Sequence, residues 1–225
     1  MIKAVLFDLD GTLLNRDASL KSLLEEQYKR LYQYLGHIRI EKYITRFIEL
    51  DQRGYVGKDL VYQQLIGELN IRGISRESLH QDYINEFSSC CVPFPNLINI
   101  LERLKERSIR LGIITNGREK FQMNNIKALR IENYFDTILI SDREGIKKPN
   151  PEIFKRALSK LDAEADESIY VGDHPENDVL GSKNIGMLAV WKKDSYWGHA
   201  AADFMINDLM ELLKIIESQE GSAYS

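Results

Sequence analysis

Four consecutive apolar residues, Ala4-Val5-Leu6-Phe7, run without a polar break into Asp8-Leu9-Asp10-Gly11-Thr12-Leu13. A short run with no polar face suits a strand buried on both sides, the habit of central parallel strands. Such a strand constrains the rest of the chain, because it needs parallel neighbours reached by crossovers and helices over both faces of the sheet. In open sheets of this kind ligands and chemistry gather just past the carboxyl ends of the strands. Asp8 and Asp10 stand at that place.

The neighbours of this first strand do not follow at once. From about Asp17 to Cys91 the spacing is helical: Leu20, Leu23, Leu24, Tyr28 and Leu31, then Tyr43, Ile44, Phe47 and Ile48, then Val61, Leu65 and Leu69, then Leu79, Tyr83 and Phe87. Glycines at 36, 54, 57 and 73 separate these four amphipathic stretches, and Pro93-Phe94-Pro95 closes the block. Beyond Pro95 helices and strands alternate. Apolar strands are expected at 111–114, 137–140, 169–171 and 187–190, with a helix opened by Asn150-Pro151. A last helix is expected from an Asn207 cap, with Leu209, Leu212, Leu213 and Ile216 on one face and a polar, frayed tail from Glu217. The expected fold is α/β: a doubly wound, Rossmann-like parallel-sheet core formed by residues 1–14 and 95–225, with an α-helical cap inserted at 15–94.

Composition bounds the function without naming it. The chain has 225 residues, 44% of them hydrophobic, enough for a sizeable core. A formal net charge of −4 argues against a general nucleic-acid binder. No apolar run approaches the roughly 20 residues that span a bilayer, and Met1-Ile2-Lys3 leads straight into a strand, so the chain reads as cytoplasmic with no membrane partner. Cys90 and Cys91 are adjacent and make no framework of spaced cross-links.

Four short segments fall at strand ends or helix starts: Asp8 to Thr12, Thr115-Asn116-Gly117, Lys147-Lys148-Pro149, and Gly172-Asp173 through Asp178. Taken singly, a Thr-Asn-Gly is an ordinary turn and a Lys-Pro an ordinary approach to a helix. Their order and context make the pattern specific. Over nearly the whole chain it resembles the haloacid dehalogenase superfamily of phosphohydrolases, which carries Asp-x-Asp-Gly-Thr after strand one, a Thr-Asn turn after strand two, a Lys-Pro, and Gly-Asp-x-x-x-x-Asp after strand four.

The resemblance implies a role for each matching residue. Asp8 would be the nucleophile, forming an aspartyl phosphate whose hydrolysis splits one hard displacement into two easier ones. Asp10 would protonate the leaving oxygen and then activate water. Thr115 and the Asn116 backbone N–H would bind phosphoryl oxygens, and Lys148 would balance the charge of the phosphoryl group and Asp8. Asp8, Asp173 and the Asp10 carbonyl would hold Mg²⁺ through hard oxygen ligands. Asp178 would support the site by holding a metal-bound water or orienting Lys148. His174 is assigned a packing or helix-start role, and Trp191, Tyr196 and Trp197 are expected to cover the edge of the core.

In the family a helical insert at this place is a cap closing over the phosphoryl group. Residues 52–58, with Arg53 as a candidate substrate contact, form the loop that would face substrate. The implied substrate is a small phosphorylated metabolite, a nucleoside monophosphate or sugar phosphate. A phosphomutase would use the same segments. A haloacid dehalogenase would lack the second carboxylate that Asp10 supplies, since a halide leaving group needs no proton. A receiver-type signalling module would lack the long insert.

Overall fold

The computed structural model describes residues 1–221 and divides into two compact units, Met1–Arg16 with the described residues from Val92 onward, and Asp17–Cys91. The first unit is built on β1 (Ala4–Phe7), β2 (Arg110–Thr115), β3 (Thr137–Ile140), β4 (Ser168–Gly172), β5 (Leu188–Lys192) and β6 (Phe204–Ile206). Their order across the sheet is β3-β2-β1-β4-β5-β6, and every pairing is parallel. This is the doubly wound arrangement, with its reversal of winding at β1. The order brings β1 between β2 and β4, with Phe7 opposite both Ile113 and Val171. The carboxyl ends of three strands, and the residues that follow them, are thereby gathered along one edge.

All four residues of β1 are buried, as a strand covered on both faces requires. On one face Ala4 and Leu6 join Ile114, Leu139 and Tyr170 beneath helix α9 (Pro151–Leu161), which contributes Ile153, Phe154, Ala157, Leu158 and Leu161. Asn150 caps that helix, its side chain accepting the Glu152 N–H at 2.9 Å, and Pro151 opens it. The other crossover helices are α6 (Leu97–Glu106), α7 (Glu119–Ala128), the short α8 (Ser141–Glu144) and α10 (Gly181–Lys183), and the terminal α11 (Glu211–Gly221).

The second unit is helical: α1 (Arg16–Arg30), the single turn α2 (Tyr32–Leu35), α3 (Ile40–Asp51), α4 (Lys58–Leu69) and α5 (Arg76–Glu86). Tyr43 and Phe47 turn inward from α3, with Phe47 edge-on to Tyr62 and stacked on Tyr83. Ile48, expected on that stripe, is exposed instead, because it lies about 100° around the helix from Phe47. The centre of the unit is polar. Gln27 of α1 is fully buried, accepts the hydroxyls of Tyr43 and Tyr62 at 2.7 and 3.0 Å, and donates to the Leu79 carbonyl and Asp82 at 3.0 and 2.9 Å. One amide thus ties four helices and leaves no hydrogen-bonding group unmet.

Several boundaries differ from the sequence reading. The units divide at 16/17 and 91/92 rather than at 14/15 and 94/95, because the two connecting segments pair with each other in the α/β unit: Asn15 N–H donates to Val92 O and Phe94 N–H to Leu13 O, at 2.9 and 3.0 Å. The last helix starts at Glu211, not after Asn207. Glu211 accepts the backbone N–H groups of Asn207 and Asp208, and Asp208 accepts that of Met210, so the turn before the helix is closed by carboxylates. Helix α11 also continues through Glu217 to Gly221 where a frayed tail was expected, with Glu217 paired to Arg107 at 2.5 Å. The rest of that tail lies outside the described residues. Among the described residues no helix is long and apolar enough to cross a membrane.

Candidate active site

Asp8 follows β1 directly, and its backbone N–H donates to Val171 O of β4 at 2.9 Å, so the position of its carboxylate is set by the sheet. The chain then folds back within one tight loop, with the N–H groups of Leu13 and Leu14 both reaching Leu9 O. Gly11 sits in that loop at φ +87°, and a Cβ there would lie 2.5 Å from Asp173 Oδ2. Only glycine lets this loop approach the Asp173 carboxylate.

Asp173 follows β4, and its carbonyl accepts the indole N–H of the buried Trp191 at 2.6 Å. Trp191, expected to cover the core edge, therefore also anchors the loop that carries Asp173. The segment Pro175–Leu180 is a single π-helical turn that brings Asp178 back over the end of β4. Gly172 makes this possible: a Cβ there would lie 2.3 Å from that of Asp178. His174 caps the turn, with Nδ1 accepting the Glu176 and Asn177 N–H groups at 3.1 and 3.2 Å. Its ring lies 4.4 Å from that of Trp197, centroid to centroid.

Lys148 is the hub. Its side chain is 3% exposed, and Nζ donates to Asp8 Oδ1 at 2.6 Å, Asp178 Oδ1 at 2.6 Å and the Tyr170 hydroxyl at 2.9 Å. Three protons meet three acceptors. Burial works against the ammonium, but Asp178 and Asp8 override it and hold Lys148 well above its usual range. Burial also pushes the Asp8 carboxyl up to about 7, with Lys148 opposing and Asp178 and Asp10 adding to the rise. Asp178 Oδ2 accepts the His174 N–H at 3.0 Å, so both oxygens of Asp178 carry hydrogen bonds.

The Asn116 side chain is occupied by the Lys148 main chain, donating from Nδ2 to Lys148 O at 3.0 Å and accepting the Lys148 N–H on Oδ1 at 2.9 Å. This reciprocal pair fixes the Lys-Pro loop against the end of β2. Lys147 is exposed, as expected. Thr115 is buried at the end of β2, and its hydroxyl accepts from Gln122 Nε2 at 2.6 Å; the same amide nitrogen reaches Asp10 Oδ2 at 2.6 Å. Thr12, within the first segment, lies 3.5 Å from Asp8 Oδ2 through its hydroxyl.

The fold therefore brings Asp8, Asp10, Thr115, Asn116, Lys148, Asp173 and Asp178 into one network at the carboxyl edge of the sheet. Carboxylate oxygens of Asp8, Asp173 and Asp178 lie within 4.8 Å of one another, all buried. A buried, hard-oxygen set facing one ammonium suits a small divalent cation. Arg53 belongs to the helical unit, where it adopts φ 57° between Gln52 and Gly54 and points Nη1 toward Asp17 at 3.5 Å. Sequence reasoning missed Gln122 and Tyr170. Each occupies a position that periodicity assigns to ordinary core, one on a helix and one in a strand, and only the fold aims its polar end at the site.

A parallel doubly wound sheet with an aspartate pair, a buried lysine and further aspartates at its carboxyl edge is suited to holding an anionic group beside a cation. The family model described as haloacid dehalogenase-like hydrolase matches residues 5–192, and the chain belongs to that family. It is 32% identical to a glyceraldehyde 3-phosphate phosphatase of Pyrococcus abyssi over 99% of this chain and 97% of that one. It is 27% identical to a pyrophosphatase, PpaX, of Oceanobacillus iheyensis over 96% and 97% of the two chains. Among solved structures, an HAD phosphatase from Thermococcus onnurineus is 30% identical, with a TM-score of 0.65 over 96% of this chain and 98% of that one. The chain is thus an enzyme of the phosphatase kind.

Proposed function

We propose that this enzyme is a Mg²⁺-dependent phosphomonoester hydrolase acting on a small phosphorylated metabolite, preferentially a sugar phosphate, through an aspartyl-phosphate intermediate on Asp8. The observation that carries this reading is the Lys148 clamp, which holds Asp8 Oδ1 in place and offsets part of its charge while Asp10 stands two residues away. Of the nucleotide and sugar-phosphate classes, the second is favoured by the relative from Pyrococcus abyssi, whose name specifies a triose phosphate.

Asp8, Asp173 and the Asp10 carbonyl would hold Mg²⁺, which when bound lowers the negative charge of the site and takes a phosphoryl oxygen. An Asp8 carboxylate oxygen attacks phosphorus, the bond from phosphorus to the leaving oxygen breaks, and the Asp10 carboxyl gives its proton to that oxygen. Asp10, now a carboxylate, takes a proton from water as the water oxygen attacks phosphorus; Asp8 departs and inorganic phosphate leaves. Thr115 donates its hydroxyl proton to a phosphoryl oxygen, the Asn116 backbone N–H assists, and Lys148 carries the balancing positive charge. Asp178 orients Lys148. The helical unit is on this reading a cap, and Arg53 its candidate contact to the leaving group.

Phosphate release across glyceraldehyde 3-phosphate, longer sugar phosphates, nucleoside monophosphates and pyrophosphate tests the proposal, each with Mg²⁺ and with chelator. The expected result is Mg²⁺-dependent release with the highest kcat/KM on a sugar phosphate, and a raised KM for that substrate in Arg53→Ala. Release insensitive to chelation, or confined to pyrophosphate, overturns it.

A further inference from the structure

Gln122 lies on the first turns of α7 and is 2% exposed, a neutral amide buried at the edge of a cluster of charges. Its Nε2 carries two protons and has two close acceptors, Asp10 Oδ2 and the Thr115 hydroxyl oxygen, both at 2.6 Å; the Asn116 carbonyl, at 3.4 Å, is a distant third. The other end of the amide is committed as well, since Oε1 accepts from Asn125 Nδ2 at 3.3 Å, and Asn125 is fully buried. Carboxylate on one side and amide donor on the other leave one orientation of the side chain that meets every partner. Gly117 leaves room for it, as a Cβ there would stand 3.0 Å from Gln122 Cγ.

We infer that Gln122 is a positioning residue that sets the proton geometry of Asp10 and Thr115 through a single amide. This rests on the roles given to those two residues under the proposed function. An amide nitrogen only donates, so Asp10 Oδ2 is held as an acceptor, and the proton that Asp10 delivers to the leaving oxygen sits on Oδ1. By the same logic the Thr115 oxygen accepts from Gln122, and its own hydroxyl proton is left to point away from Gln122 toward a phosphoryl oxygen. One buried side chain thereby tells the acid which oxygen to use and the hydroxyl which way to face. Without it the Asp10 carboxyl loses the contact that fixes its rotation, and misplacement of a catalytic group by a fraction of an ångström is costly.

Acid catalysis matters most when the leaving group is poor, and this separates positioning of Asp10 from general support of the fold. A Gln122→Leu variant and the wild type are compared by kcat/KM on an alkyl phosphate, whose alkoxide must be protonated, and on p-nitrophenyl phosphate, whose phenolate leaves unaided. Asp10→Asn runs in parallel. The ratio of alkyl to aryl kcat/KM is expected to fall by about tenfold or more in Gln122→Leu, a part of the ~10²- to 10⁴-fold that general acid–base catalysis supplies. Gln122→Glu, which keeps the length but replaces the donor beside Asp10 with an acceptor, is expected to lower the ratio in the same way and serves if the leucine variant does not fold. An equal loss on both substrates in Gln122→Leu and Gln122→Glu, with the ratio collapsing only in Asp10→Asn, overturns the inference and leaves the proposed function standing. An unchanged ratio in Asp10→Asn removes the assignment of Asp10 as the acid, and the inference with it.

Discussion

At the scale of single residues the site is an electrostatic balance that closes around Lys148. Three acceptors saturate its ammonium, yet Asp8 remains pushed up to about 7 by burial, so the charge of Lys148 does not fully offset the burial of that one carboxyl. An unfolded aspartate titrates near ~4, so a folded value near 7 contributes stability that is complete below about pH 4 and is lost as pH rises toward 7. Metal-free Asp8→Asn lacks this penalty. In thermal melts with chelator, its Tm is expected to gain on that of wild type between pH 4.5 and 8, and saturating Mg²⁺ should narrow the gap. A difference in Tm that does not vary with pH would contradict the account.

The same scale shows what a sequence can and cannot disclose. Asp8, Asp10, Lys148, Asp173 and Asp178 were legible because each lies at a strand end or helix start in a fixed order. Asn116 was legible as a position, but its side-chain task of bolting the Lys148 main chain was not, since it depends on a loop 32 residues away. Gln122 and Tyr170 carry no local mark at all.

At the scale of elements, long periodic segments announced themselves and short ones did not. β1 was evident from four unbroken apolar residues, and α9 from its Asn-Pro start and apolar stripe. β6 escaped because three residues at the sheet edge are too few to display an alternation. The π-helical turn after β4 escaped for a different reason: it is imposed by the approach of Asp178 to Gly172, a tertiary contact. Pi-helical turns of this kind often mark functional sites. Gly172→Ala tests whether that approach matters. The added methyl must displace Asp178, so a loss of about 1–3 kcal/mol in chemical denaturation is expected from overpacking, together with a fall in kcat that exceeds any change in KM. Unchanged stability and kcat would show that the turn tolerates the methyl and that its closeness has no function.

At the scale of the molecule, the decisive clue was a gap. A buried first strand with no partner for about a hundred residues implied an insertion, and β1 does lie between β2 and β4, with the helical residues forming a compact unit of their own. The buried Gln27 network at the centre of that unit was hidden, because amphipathic spacing records which face is buried and not which polar group ties the helices together. The chain belongs to a family whose members share this scaffold, so the substrate is set by details beyond the shared segments.

In the proposed mechanism every later step depends on attack of Asp8 on phosphorus. Its most direct test is acid-quenched reaction of Asp10→Asn with p-nitrophenyl phosphate and Mg²⁺, followed by mass spectrometry of the peptides. Phosphorylation needs little acid with this leaving group, whereas release of the intermediate lacks its base, so one phosphoryl group is expected to accumulate on Asp8. Phosphoryl label on any other residue, or p-nitrophenol release with no covalent label under quench, contradicts the account.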